Sequence, residues 1–110
     1  GLGDVYKRQG VDIISPHMGL TGGGSIGAPK VMALDAACER LQYLYEVAIS
    51  ENPDVIVISH GGPFTTPEAV QVSYDKTDVH GFMGASSIER LPVETAVYNA
   101  VKKLTGMRTR

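Results

Sequence analysis

Three short strand-like runs alternate along this chain with segments whose apolar positions recur every three or four residues. The runs are residues 11–15 (VDIIS, stopped by Pro16), 54–59 (DVIVIS) and 79–83 (VHGFM). None alternates strictly between apolar and polar positions, which predicts strands covered on both faces within a parallel sheet. Leu34, Ala37, Cys38, Leu41, Leu44, Tyr45 and Ala48 form one helical stripe, which Asn52-Pro53 ends. Thr66-Pro67-Glu68 supplies an N-cap, a proline at the first helical position and an acid in the first turn, predicting a helix to about Lys76. Val93, Ala96, Val97, Ala100, Val101 and Leu104 form a further stripe, entered at Leu91-Pro92 and ended at Gly106.

The predicted order is therefore βαβαβα with parallel strands. Three such units leave two open sheet edges and an uncovered surface. A (β/α)8 barrel takes ~250 residues, and three of its eight units scale to roughly the 110 residues of this chain. The expected fold class is α/β: the C-terminal three β/α units of a (β/α)8 TIM barrel, spanning residues 10–110. Residues 1–9 (GLGDVYKRQ) show no apolar period and join abruptly to the first run. They read as an adapter-derived artefact of metagenomic gene calling or a disordered tail, with a helix end capped by Gly10 as the alternative.

Composition narrows the function classes. Lys+Arg 10 against Asp+Glu 12, a formal net charge of -2, no Trp and few aromatics argue against a nucleic-acid surface. No apolar run approaches the ~18 residues of a membrane span. The single Cys38 excludes an internal disulfide and any multi-cysteine zinc site, and fits a reducing, cytoplasmic setting; within its helical stripe it reads as a small buried hydrophobe. Gly 13 and Pro 6 are clustered, and the clusters follow the predicted strands.

In α/β folds the loops beyond the C-terminal ends of the strands carry the chemistry. Here they hold residues 16–27 (PHMGLTGGGSIG), 59–63 (SHGGP) and 81–92 (GFMGASSIERLP), whereas the loops before the strands are short and plain. Consecutive glycines let backbone N–H groups converge on an anion, and a short helix over 86–90 would add its N-terminus. Gly61, Gly62, Gly84, Ala85, Ser86 and Ser87 are the expected anion cup; the plainer alternative is that these glycines serve tight turns. His17 and His60 occupy equivalent places on neighbouring strands, where a histidine polarises a carbonyl, moves a proton or binds a metal. His80, inside the third run, reads as structural. Residues 22–27 match G-x-G-x-x-G by spacing, but they begin too far beyond the strand and are followed by Pro29, so a dinucleotide fingerprint is the weaker reading. They read instead as a mobile substrate loop in which Thr21, Gly22, Gly23, Gly24 and Ser25 contact the ligand. Glu89 is a candidate catalytic group and Arg90 a candidate substrate contact, with a loop-anchoring pair as the alternative.

Residues 17–27 (HMGLTGGGSIG), 60–63 (HGGP) and 80–94 (HGFMGASSIERLPVE), in that order, resemble the phosphoenolpyruvate hydrolase-like TIM-barrel family, near the phosphoenolpyruvate/pyruvate barrel superfamily. The resemblance implies a barrel that acts on a small phosphorylated or carboxylated 2-oxo acid, a hydrolase or lyase in the intact parent and inactive as this piece alone. It also implies metal-binding carboxylates on earlier strands, so that a divalent cation such as Mg would be held outside this chain, which itself contributes no metal ligand. The intact parent is expected to be a homo-oligomer. The alternative function is a non-catalytic metabolite-sensing barrel that signals to another domain.

Overall fold

The computed structural model describes residues 10–27 and 31–109. The reading of residues 1–9 as an artefact or tail, and of Pro29 as an interruption, lies outside them. Strand β1 (Ile13–Ile14) leads to helix α1 (Leu34–Glu51), β2 (Ile56–His60), α2 (Pro67–Lys76), β3 (Gly81–Met83), the short α3 (Ser86–Glu89) and α4 (Leu91–Thr105). The strands form one parallel sheet in the order β1-β2-β3, with Ile13 beside Ile56, Ile14 beside Val57, and Ile58, Ser59 and His60 beside Gly81, Phe82 and Met83. This α/β arrangement, with strands adjacent in chain order and helices between them, is consistent with a partial α/β barrel.

Each strand starts later than the hydrophobic runs suggest, for local reasons. The Asn52 side chain accepts the Asp54 N–H (3.1 Å) and its carbonyl accepts the Val55 N–H (3.2 Å), so residues 52–55 turn before β2 begins. At the third run the His80 N–H donates to the Val57 carbonyl (2.7 Å) while its Nδ1 accepts the Val57 N–H (3.0 Å). The ring thereby takes a bond that a strand carbonyl would otherwise accept, and His80 is structural. Helix α2 begins where the cap motif requires: Thr66 Oγ1 accepts the Ala69 N–H at 3.1 Å.

The core lies on one side of the sheet. Ala37, Cys38 and Leu41 of α1 meet Met18 and Phe64, with Val70 and Val72 of α2 packed against them; Ala48, Val55 and Val57 form a second cluster. Along β2, Val57 and Ser59 are fully buried while Ile56, on the other face, is 44% exposed. Ile13 at 56% and Met83 at 44% continue that open face. Coverage on both faces is therefore corrected to coverage on one, because both α1 and α2 pack on the same side. No residue of α4 is buried, and its stripe, including Val97 and Leu104, is exposed. Cys38 is buried in the first cluster, and desolvation pushes its thiol up from the ordinary value of 9.0, which disfavours a reactive thiolate.

Candidate functional site

The ladder between β1 and β2 continues past the strands. His17 bridges His60 in parallel register, the Met18 N–H donates to the His60 carbonyl (3.0 Å), and the Gly62 N–H donates to the Gly19 carbonyl (2.7 Å). Only glycine fits this crossing. Gly61 and Gly62 have φ of 77° and 61°, and a Cβ on Gly62 would collide with the Met18 carbonyl. Gly62 sits in a tight turn, and its N–H is committed to the Gly19 carbonyl.

The same crossing brings the two histidines together, with ring centroids 5.0 Å apart and planes at 82°. His60 Nδ1 lies 2.7 Å from the Met83 carbonyl, which can only accept, so the neutral ring carries its proton on Nδ1 and leaves Nε2 as an acceptor. His17 Nδ1 accepts the Gly19 N–H at 3.1 Å, so its neutral ring carries the proton on Nε2. The pair therefore offers one basic nitrogen and one N–H donor from adjacent strand ends.

The remaining candidates divide into two groups. Gly22 and Gly23 face Gly62 and Pro63 across a cavity of about 290 Å³, which Val31, Thr65 and Leu91 complete. Gly84, Ala85, Ser86 and Ser87 lie at the end of β3 and the start of α3. A Cβ on Gly84 would stand 2.6 Å from the end of the exposed Ile88 side chain. Ser87 lines a separate, mostly apolar groove with Val70, Tyr74, Phe82, Ile88, Thr66 and Gln71, apart from the Gly61–Gly62 turn. Glu89 is exposed on α3. Arg90 donates from Nη1 to the Gly23 carbonyl (2.9 Å) and lies 3.3 Å from Glu94 Oε2, and Glu94 in turn accepts the Ser25 N–H.

Glu94 is the residue that sequence reasoning missed. Its spacing of four from Arg90 marks a helical ion pair, but its target is 69 residues away in sequence. The Ser25 N–H first, then the Ser25 side chain, and after them Arg90 hold its carboxyl below the ordinary 4.5. Among the described residues no cluster of three or more His, Cys, Asp or Glu side chains could hold a metal ion, and no helix is long and apolar enough to cross a membrane. The residues described here do not by themselves fit a divalent cation.

Comparison with known proteins adds a lineage to this geometry. The family described as phosphoenolpyruvate hydrolase-like matches residues 4–107. The ToMV susceptible protein tm-1 and the ToMV resistance protein Tm-1, both of Solanum lycopersicum, are 48% and 47% identical over 100 residues, covering 90% of this chain and 13% of each relative. A protein of Sinorhizobium fredii, whose name gives it a conjectured role in transcriptional regulation, is 27% identical over 88 residues, 80% of this chain and 14% of that protein. The chain thus spans about an eighth of the length of the curated relatives it matches.

Proposed function

The chain belongs to the phosphoenolpyruvate hydrolase-like family, and from that membership we propose that it forms the last three β/α units of a (β/α)8 barrel acting on a small phosphorylated or carboxylated 2-oxo acid. The observation that carries the reading is the His17–His60 pair, whose hydrogen bonds require opposite tautomers in the neutral rings. His60 Nε2 accepts a proton from the substrate or from an attacking water. The His17 Nε2–H donates to the substrate's carbonyl or carboxylate oxygen as negative charge develops there. The backbone partner at each Nδ1 keeps these roles apart: His17 Nδ1 faces a donor and His60 Nδ1 an acceptor, so each neutral ring stays in one tautomer.

The cavity beside Gly22 and Gly62 would take the rest of the acid: about 290 Å³ lies at the small end of ligand sites and suits a C3-type molecule. The open face of the sheet supports the barrel, since a barrel's strands turn that face to a shared interior. Cation-binding carboxylates, where the reaction uses them, would come from other strands, and no step here depends on them. The complete protein should turn over phosphoenolpyruvate or a related 2-oxo acid, assayed with and without magnesium. No turnover, together with undiminished ligand binding in His60→Ala, would overturn the reading.

A second reading keeps the same pocket without chemistry: a barrel that senses a phosphorylated metabolite and signals to another domain. It is favoured by the regulatory name of one relative and by the much greater length of all three. Ligand binding without turnover would select it.

A further inference from the structure

The loop over residues 22–27 buries little apolar surface: Gly23 passes beside the Leu91 side chain, and its tip is open. Gly23, Gly24, Ser25 and Ile26 are all exposed, Ile26 at 77%, so no buried side chain ties the loop to the core. Among the described residues its side-chain attachments are polar and come from one helical turn. Arg90 Nη1 donates to the Gly23 carbonyl at 2.9 Å, Glu94 accepts the Ser25 N–H, and the two side chains pair at 3.3 Å. The loop lies flush on this pair. A Cβ at Gly24 would collide with the Glu94 carboxylate and stand 2.6 Å from Arg90 Nη1, and Gly23 and Gly24 reach this path only at φ of 84° and 72°. Arg90 and Glu94 retain side-chain exposures of 18% and 30%, a half-withdrawn setting in which an ion pair is screened less than on an open surface.

We propose that Glu94 is a positioning residue of the substrate pocket: together with Arg90 it latches the 22–27 loop onto the start of α4, so that Gly22 and Gly23 form a fixed wall of the 290 Å³ cavity. The inference rests on reading that cavity as the place of the small acid. It also gives Arg90 a double duty. Among the described residues only Nη1 is engaged, so the rest of the guanidinium fork, next to the cavity-lining Leu91, is available to a carboxylate or phosphate. Glu94 fixes that fork by sharing its Nη1.

The test uses the complete protein and two readouts. In Glu94→Gln and in Arg90→Lys, hydrogen exchange at the amides of residues 22–27 should rise about tenfold, as expected when a locally held segment loses a charge-assisted bond. With phosphoenolpyruvate as the probe, KM should rise about tenfold while kcat stays within about threefold, and Glu94→Asp should recover part of the loss. Unchanged exchange in both variants would overturn the latch. So would a loss confined to kcat, which would mark Glu94 as part of the chemistry. If the wild-type protein turns over none of the acids tested, exchange still decides the latch, and the failure belongs to the assigned reaction.

Discussion

His17 and His60 meet edge to face at 5.0 Å, and the backbone holds their Nδ1 atoms in opposite senses: His17 accepts from the Gly19 N–H, and His60 donates to the Met83 carbonyl. Two side chains of one type thus present different Nε2 atoms, one a donor and one an acceptor. The difference is set entirely by main-chain partners, and in the proposed reaction it would divide the proton-handling roles between the rings.

Asparagine at position 60 separates holding from chemistry. In His60→Asn the amide N–H can replace the bond to the Met83 carbonyl, but nothing takes the place of Nε2. The variant of the complete protein should keep the wild-type unfolding midpoint and lose roughly 10²- to 10⁴-fold in kcat, the range for removal of a general base. Equal turnover in the two proteins would exclude His60 as the base.

Much of this was legible in the sequence, and the remainder had identifiable causes. Thr66-Pro67-Glu68 gave the start of α2 because a cap is a local device whose partner, Ala69, is three residues away. The nearness of His17 and His60 followed from equivalent positions on parallel strands. Their tautomers did not, since those depend on carbonyls and amides brought in by the tertiary fold. The stripe from Val93 to Leu104 predicted a helix correctly but carries no information about which side chains cover it, and among the described residues none bury it. The strand starts were missed because Asn52 and His80 use side-chain bonds that hydrophobicity does not register.

The two glycines at the crossing should respond differently to alanine. Gly62→Ala combines positive φ with a backbone collision at Met18 and should destabilise the complete protein by about 2–4 kcal/mol. Gly19 has φ of 102° but nothing within 4 Å of an added Cβ, so Gly19→Ala should cost only the conformational part, about 1–2 kcal/mol. Urea unfolding of both variants checks the ranking.

Removing the α2 cap should cost about 1 kcal/mol. Thr66→Ala leaves the Ala69 N–H without its side-chain acceptor, whereas Thr66→Asp restores one. Thermal unfolding should place the aspartate variant close to wild type and the alanine variant below it.

Acid should open the loop late. Glu94 has a folded-state value lowered from 4.5, chiefly by the Ser25 N–H, then by the Ser25 side chain and by Arg90. A depressed carboxylate contributes its stabilisation above its unfolded value and loses it as the pH falls through the folded one. Exchange at residues 22–27, corrected for the intrinsic pH dependence, should therefore stay constant from neutrality to 4.5 and rise only below it. A rise between pH 6 and 5, in terms of ordinary carboxylate behaviour, would mean that another group holds the loop.

Expressed alone, these 110 residues should not unfold as a cooperative monomer. Ile13, Ile56 and Met83 are uncovered on one sheet face, and Val93, Val97, Val101 and Leu104 on α4, leaving apolar surface and open strand edges for self-association. Light scattering after size exclusion should report oligomers or aggregate, and a monodisperse monomer with a sharp thermal transition would contradict this.

The bonds from Met18 to His60 and from Gly62 to Gly19 splice the two histidine-bearing loops into one body. The gap between the rings is consequently a property of the main chain, out of reach of most side-chain substitutions. The 22–27 loop, hung from Arg90 and Glu94, takes no part in that splice, so a change at its exposed Ser25 or Ile26 would leave the gap undisturbed. A change confined to the tethered segment would therefore reshape the wall of the proposed acid pocket while the spliced segment alone keeps the two imidazoles at their spacing.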